Sequence, residues 1–196
     1  MIRVTGGEAK GRALKVYRGG QVRPTSDKVR QAIFNILEHR FDLEFEHARV
    51  LDLYAGSGSL GAEFLSRGAS YLCAVESDNR TIKVLKENLM TVQKAIKSHE
   101  PQVKVLAQKV ERFLNQKPVS PYQVIMADPP YKDRLGPQIL EKLDIDWLGE
   151  EGIVVIEHEK KDVFVPPYGW SLSDRRLYGD TFISFLNRMT STNASL

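Results

Sequence analysis

The sequence predicts an α/β protein built on a mostly parallel sheet that is flanked by helices and finished by an antiparallel hairpin. Three observations carry that prediction. From Arg49 onward, short apolar runs alternate with stretches of helical periodicity, the pattern of βαβ units. The first apolar run ends in a glycine-rich turn, Gly56-Ser57-Gly58-Ser59-Leu60-Gly61, which leads into a helical stretch. Near the C-terminus, two β-rich segments (170–177 and 181–187) flank the turn residues Tyr178-Gly179-Asp180, which predicts a hairpin.

The elements follow in order. Residues 1–22 are punctuated by Gly6, Gly7, Gly11, Gly19 and Gly20, too broken for a helix, and read as a hairpin or extended arm. With few apolar residues, this arm is not expected to form a core element of its own. A helix starts at Thr25-Ser26-Asp27, where a hydroxyl N-cap precedes a carboxylate in the first turn, and its apolar face is Val29, Ile33, Ile36 and Leu37. A strand over 50–54, the glycine turn and a helix to about Arg67 come next. A strand over 71–76 precedes a long helix over 79–96, with Ile82, Leu85, Leu89, Val92 and Ile96 on its inner face. A third strand spans 103–106, and a short helix carries Val110, Phe113 and Leu114. The fourth strand, 122–127, runs into Asp128-Pro129-Pro130-Tyr131. A helix over 135–143 leads to a strand over 152–157 and then to the hairpin, and the polar tail 190–196 is expected to fray.

Bulk properties exclude several classes. A chain of 196 residues suits one full domain with a small appendage, here divided as an arm over 1–22, a main domain over 23–189 and a tail over 190–196. No apolar run approaches the roughly 20 residues of a membrane span. Met1-Ile2-Arg3-Val4-Thr5 lacks the apolar stretch of a signal peptide, so a soluble, cytoplasmic protein is expected. Cys73 is the one cysteine, which excludes an intrachain disulfide and reads as a small core residue. His39, His47, His99 and His158 are scattered without metal-ligand spacing, so no metal is expected. The net charge of +3 says little, but its distribution says more. Arg3, Lys10, Arg12, Lys15, Arg18, Arg23, Lys28 and Arg30 face only Glu8 and Asp27 within the first thirty residues. Such a cluster is a footprint for a phosphate backbone, although ordinary solvated charge would look the same.

The glycine turn fits G-x-G-x-x-G, and Glu76 stands about 20 residues on, where a carboxylate would accept hydrogen bonds from ribose hydroxyls. That fingerprint alone does not separate NAD from S-adenosyl-L-methionine. Asp52, at the strand end before the turn, does: an anion there repels a pyrophosphate but suits an ammonium and a sulfonium. The second signal is Asp128-Pro129-Pro130-Tyr131 at the carboxyl edge of the sheet, where open α/β folds bind ligands. An exocyclic base amine is a poor nucleophile because its lone pair is delocalised into the ring. Hydrogen bonds from its N–H groups to Asp128 and to a main-chain carbonyl would localise that lone pair. Pro129 and Pro130 fix the backbone and offer no competing N–H, and Tyr131 can stack on an extracted base. Taken alone, Asp-Pro-Pro is also good turn chemistry.

With these residues in view, the chain resembles the RsmD-like 16S rRNA guanine-N2 methyltransferases. The resemblance runs from Arg3 to Arg188 and includes Gly11-Arg12, Arg23-Pro24-Thr25-Ser26-Asp27-Lys28-Val29-Arg30, the segment 52–61, the tetrapeptide and Tyr178-Gly179-Asp180-Thr181. The tetrapeptide is shared with DNA adenine methyltransferases, whereas the Arg-Pro-Thr segment and compact length point to the rRNA family. The resemblance implies a Rossmann-like class I methyltransferase fold with seven strands. It implies that Asp52, Ala55, Gly56 and Gly58 hold the methionine end of S-adenosyl-L-methionine and Glu76 its ribose, with Tyr54 and Ser57 also among the cofactor-binding residues. The main chain at Val110 would meet the adenine edge, and the 23–30 segment with Thr25 would close over the cofactor. Asp128, Pro129, Pro130 and Tyr131 would take the guanine. Arg3, Lys10, Arg12, Lys15, Arg23, Lys28 and Arg30 would contact RNA. The chain departs from the family at Lys109, where an acidic residue commonly meets the adenine amino group. Glu111 or a main-chain acceptor takes that contact, or the cofactor is held more weakly. The expected partner is ribosomal RNA in a small-subunit assembly particle, met by a monomer. The rival readings are a DNA adenine-N6 methyltransferase, an RNA-binding module with an inactive cofactor site and, weakest, a NAD dehydrogenase.

Overall fold

The structure, a computed structural model, describes residues 2–17, 26–129, 135–162 and 164–189. Arg18, Arg23, Thr25, Pro130 and Tyr131, the end of the arm and the tail 190–196 lie outside the described residues. Two short strands, β1 (Ile2–Arg3) and β2 (Ala13–Leu14), pair antiparallel ahead of the helix α1 (Asp27–His39). The main sheet then grows through β3 (Arg49–Leu53), α2 (Ser59–Ser66), β4 (Tyr71–Glu76), α3 (Asn79–Gln93), β5 (Gln102–Ala107), α4 (Val110–Leu114) and β6 (Tyr122–Ala127). It continues through α5 (Leu135–Lys142), a short 3-10 turn (Ile145–Trp147), β7 (Leu148–Glu159), β8 (Trp170–Tyr178) and β9 (Thr181–Arg188).

Seven strands lie in the order β5-β4-β3-β6-β7-β9-β8. Strands β5, β4, β3, β6 and β7 are mutually parallel, and β9 and β8 close the edge antiparallel. The chain steps outward from β3 to β5, returns to the other side of β3 with β6 and then runs outward again. The crevice at the carboxyl ends of β3 and β6 is therefore the topological switch point, where such sheets take ligands.

Both faces of the sheet are covered, which explains why β3, β4 and β6 read as nearly continuous apolar runs. On one face Ile33, Phe34, Leu37, Phe64, Leu85 and Leu89 from α1, α2 and α3 pack against Val50, Val124 and Val155. On the other, Phe113, Leu114, Ile139 and Trp147 pack against Leu51, Ile125 and Ile156. Side chains along a strand alternate between the two cores.

The arm departs from its expected role. Ile2, Val4, Ala9 and Leu14 are buried in the first of these cores, so the segment is a docked core element rather than a free appendage. Polar contacts hold it: Thr5 donates from its N–H and its hydroxyl to Glu63 (2.8 Å each), and the Ala9 N–H donates to Ser66 Oγ (2.9 Å). Several boundaries also shift. Strand β7 begins at Leu148 rather than 152, because a register irregularity between Tyr122 and Val124 lets the polar stretch Gly149-Glu150-Glu151 stay in the strand. Helix α3 ends at Gln93, although Ile96 remains in the core. Helix α1 has Ser26 as its N-cap, as expected, but its buried face is Arg30, Ile33, Phe34 and Leu37, with Val29 and Ile36 only partly covered.

Candidate active site

The site begins with strand alternation. Leu51 and Leu53 on β3 point into the second core, so Asp52 between them points to the first, under the glycine turn. It is buried, and its Oδ2 accepts the Gly61 N–H at 3.2 Å. Burial, and secondarily the charge of Glu76, raise its carboxyl from an ordinary 3.8 to about 7 against the lowering effect of the Gly61 bond. Neither Asp52 nor Asp128 has an ion-pair partner among the described residues.

The turn itself is tightly specified. Tyr54 has φ +58°, a left-handed conformation uncommon for a side-chain-bearing residue, and Gly58 follows at φ +80° as the N-cap of α2. A Cβ on Gly58 would stand 2.4 Å from Leu85 Cδ1, so any larger residue would be strained in φ and would push the Leu85 side chain aside. The Ala55 N–H bonds Val75 O (3.0 Å) and the Gly58 N–H bonds Ala55 O (2.8 Å). Asn88, buried on α3, donates to Ser57 O (2.7 Å) and exchanges two bonds with the Lys15 backbone, tying the glycine turn to the arm.

Glu76 closes the other side. Its Oε2 accepts the Gly56 N–H at 3.0 Å, and Oε1 accepts from Ser77 (2.6 Å) and Asp78 (2.9 Å). A carboxylate has about four acceptor positions, so Oε2 keeps capacity for a hydroxyl while the protein fixes its orientation. Val110 opens α4, and Lys109, its N-cap, is exposed and makes no capping bond. Glu111 instead turns inward: Tyr54 Oη donates to its Oε1 at 3.0 Å, and both line a hollow with Val110 and Leu114. An acidic acceptor therefore lines this hollow, two residues on from the exposed Lys109.

Asp128 and Pro129 follow β6 directly, with Pro129 buried. Because Met126 points into the first core and Ala127 into the second, Asp128 projects on the same face as Asp52. Burial, then Glu157, then Asp52 hold its carboxyl well above the ordinary carboxylate range. The crevice thus gathers carboxylates whose repulsion a bound cation would relieve. The ammonium and sulfonium of S-adenosylmethionine fit that donor set, and a pyrophosphate does not.

The basic residues divide. Arg3, Lys10, Arg12, Lys15 and Lys28 are exposed, with Lys15 Nζ paired to Glu87 at 2.8 Å. Arg30 corrects the expectation of an RNA contact: it is fully buried. Its Nε pairs with Glu63 (3.3 Å), and its Nη2 with Asp27 (3.0 Å) and with the carbonyl of Arg3. An arginine spent on the buried Glu63, which also binds Thr5 and Arg67, is not available to a phosphate. Sequence reasoning missed Glu63, Asn88 and Glu157. A lone carboxylate within the apolar run of α2 was the one available signal.

A family model described as conserved hypothetical protein 95 matches residues 2–187. A Bacillus subtilis protein named as a candidate rRNA methyltransferase, YlbH, is 38% identical over 82% of this chain and 84% of its own length. The ribosomal RNA small subunit methyltransferase D of Haemophilus influenzae is 33% identical over 91% of this chain and 89% of its own. The solved structure of a candidate methyltransferase of Escherichia coli, yhhF, superposes with a TM-score of 0.80 at 32% identity, covering 95% of this chain and 97% of that one. With the glycine turn, Asp52 and the Asp-Pro-Pro edge in one crevice, the chain belongs to the RsmD-like family of class I S-adenosylmethionine-dependent methyltransferases.

Proposed function

We propose that this enzyme transfers a methyl group to the exocyclic N2 of a guanine in 16S ribosomal RNA. The observation that carries the reading is the shared face of Asp52 and Asp128: a cation-seeking carboxylate stands beside the carboxylate of an amine-activating tetrapeptide. Relatives named as ribosomal RNA small subunit methyltransferases support the RNA substrate and do not favour a DNA adenine methyltransferase.

Bound S-adenosylmethionine supplies an electrophilic methyl group. Asp128 accepts one N2–H of the guanine at a carboxylate oxygen, drawing the lone pair out of the ring and toward that methyl. Removing an aligned charged partner of this kind is worth about 10²–10³ in turnover. As the new N–C bond forms, the cofactor's sulfur–methyl bond would break with its electron pair left on sulfur as a neutral thioether, and the amine proton passes toward the same Asp128 oxygen. Asp52 and Glu76 orient the methionine and ribose ends, Thr25 and the 23–30 segment close over the cofactor, and Tyr131 stacks on the extracted base.

The exposed Arg3, Lys10, Arg12, Lys15 and Lys28, with Arg23, supply the phosphate contacts. In this reading residues 1–22 form the RNA-contacting arm and 23–189 the catalytic domain. The protein works as a cytoplasmic monomer on a small-subunit assembly particle. No helix among the described residues is long and apolar enough to cross a membrane.

The test is direct. The protein is incubated with labelled S-adenosylmethionine and ribosomal RNA, ribosomal subunits or DNA, and the nucleic acid is digested to nucleosides. Label in N2-methylguanosine from ribosomal RNA or subunits is expected; label in N6-methyl-2′-deoxyadenosine from DNA overturns the proposal.

A further inference from the structure

We propose that Glu157 is the residue that selects guanine over other amino-bearing bases. The inference rests on the base-methylating function just proposed and deepens it.

Strands β6 and β7 are parallel, and their last paired residues are Ala127 and Ile156. The next residues are Asp128, just past the end of β6, and Glu157, still within β7, so the two come side by side at the carboxyl edge. Neighbouring strands lie about 4.8 Å apart. The faces agree as well. Ile156 is buried in the second core and Val155 in the first, so Glu157 projects on the first face, which Asp128 and Asp52 share. Glu157 is half-buried, and its charge acts directly on Asp128.

A second carboxylate beside Asp128 is costly. It repels Asp128 and disfavours the ionised form that the reaction needs. A turn has no use for that repulsion, but base recognition does. The Watson–Crick edge of guanine presents N1–H next to the N2 amine, donors side by side. Adenine presents its N6 amine next to N1, which is an acceptor. With Asp128 on the reacting amine, a neighbouring carboxylate accepts N1–H from guanine and repels the N1 lone pair of adenine or 2-aminopurine. Sites built to bond a substrate N–H reject analogues that lack it strongly, because their own polar groups are then left unpaired.

The test uses the RNA segment around the guanine that the wild-type protein methylates, mapped by digestion and mass spectrometry. The segment is synthesised with guanine or with 2-aminopurine at that position. 2-Aminopurine keeps the N2 amine and loses N1–H. For the wild type, kcat/KM should favour guanine by about 10- to 100-fold. The Glu157→Gln variant can present either an oxygen or an amide N–H, so its preference should fall by at least about 10-fold, with 2-aminopurine transfer unchanged or raised. S-adenosylmethionine affinity should stay within about 2-fold. Because the ratio is internal to each preparation, a partly unfolded variant does not alter it. An unchanged ratio in Glu157→Gln overturns the role of Glu157 while leaving the methyltransferase reading intact. A wild type that labels no guanine in any RNA overturns that reading, and this one with it.

Discussion

Replacing Asp52 with Asn should stabilise the protein above neutral pH while weakening its hold on the cofactor. The wild-type carboxyl is buried and titrates at about 7 rather than 3.8, so the folded state takes up a proton that the unfolded state has already released. Stability therefore falls as pH rises from the unfolded value near 4 toward 7 and is level beyond it. Each pH unit in that window is about 1.4 kcal/mol, giving roughly 4 kcal/mol across it and about 2–3 kcal/mol between pH 5 and about 8.5. Asn keeps the acceptor for the Gly61 N–H and carries no charge. Denaturant unfolding at both pH values should show the advantage of Asp52→Asn over wild type growing by about 2–3 kcal/mol toward alkaline pH. Calorimetric titration should show S-adenosylmethionine binding weakened by about 10-fold or more. A stability difference that does not change with pH would mean that Asp52 titrates normally and that the crevice is not the charged, desolvated site described above.

Other expectations follow from the same contacts. Arg30→Ala removes one of the two arginines paired with the buried Glu63, leaving Arg67 and Thr5 on it, and should cost about 2–3 kcal/mol in denaturant unfolding. Replacing Lys10 and Arg12 with alanine should leave stability nearly unchanged. It should flatten the dependence of log K on log salt for ribosomal RNA by about 0.7–0.9 per lost phosphate contact, and an unmoved slope would assign both to ordinary surface charge. Asn88→Ala removes the buried bridge between the glycine turn and the Lys15 backbone. It should cost about 2–3 kcal/mol and speed amide exchange of the Lys15 N–H.

The sheet and the cofactor turn were legible because their signals are local. Apolar runs of strand length, three glycines at fixed spacing and a carboxylate at a strand end each constrain the backbone where they stand. Asp52, Glu76 and Asp128 could be singled out for that reason, and the structure sets Asp52 and Asp128 on one face of the sheet. Residues whose roles depend on which strands become neighbours were not. Glu157 gains meaning only when β7 lies beside β6, and the crossing that brings them together leaves no mark on the residues themselves. Arg30 was misread because a basic cluster reports charge but not direction. Only the docking of the arm on α2 shows that this arginine faces Glu63. The arm misled in the same way, since its strands are only two residues each, and the buried Ile2, Val4, Ala9 and Leu14 are too few and too widely separated by turns to show a sustained period. At Lys109 the sequence left Glu111 and a main-chain acceptor open as replacements; the orientation of Glu111, two residues on, comes from its bond with Tyr54, a partner 57 residues away in the chain.

The claim at the centre of this account is that Asp128 activates the amine, and one variant addresses it. In Asp128→Ala, S-adenosylmethionine affinity measured by calorimetry should stay within a few fold of wild type. Single-turnover formation of N2-methylguanosine in ribosomal RNA should fall by about 10²-fold or more, the signature of an interaction made chiefly in the transition state. Near-normal turnover with intact cofactor binding would contradict the account and reduce Asp128-Pro129-Pro130-Tyr131 to a turn.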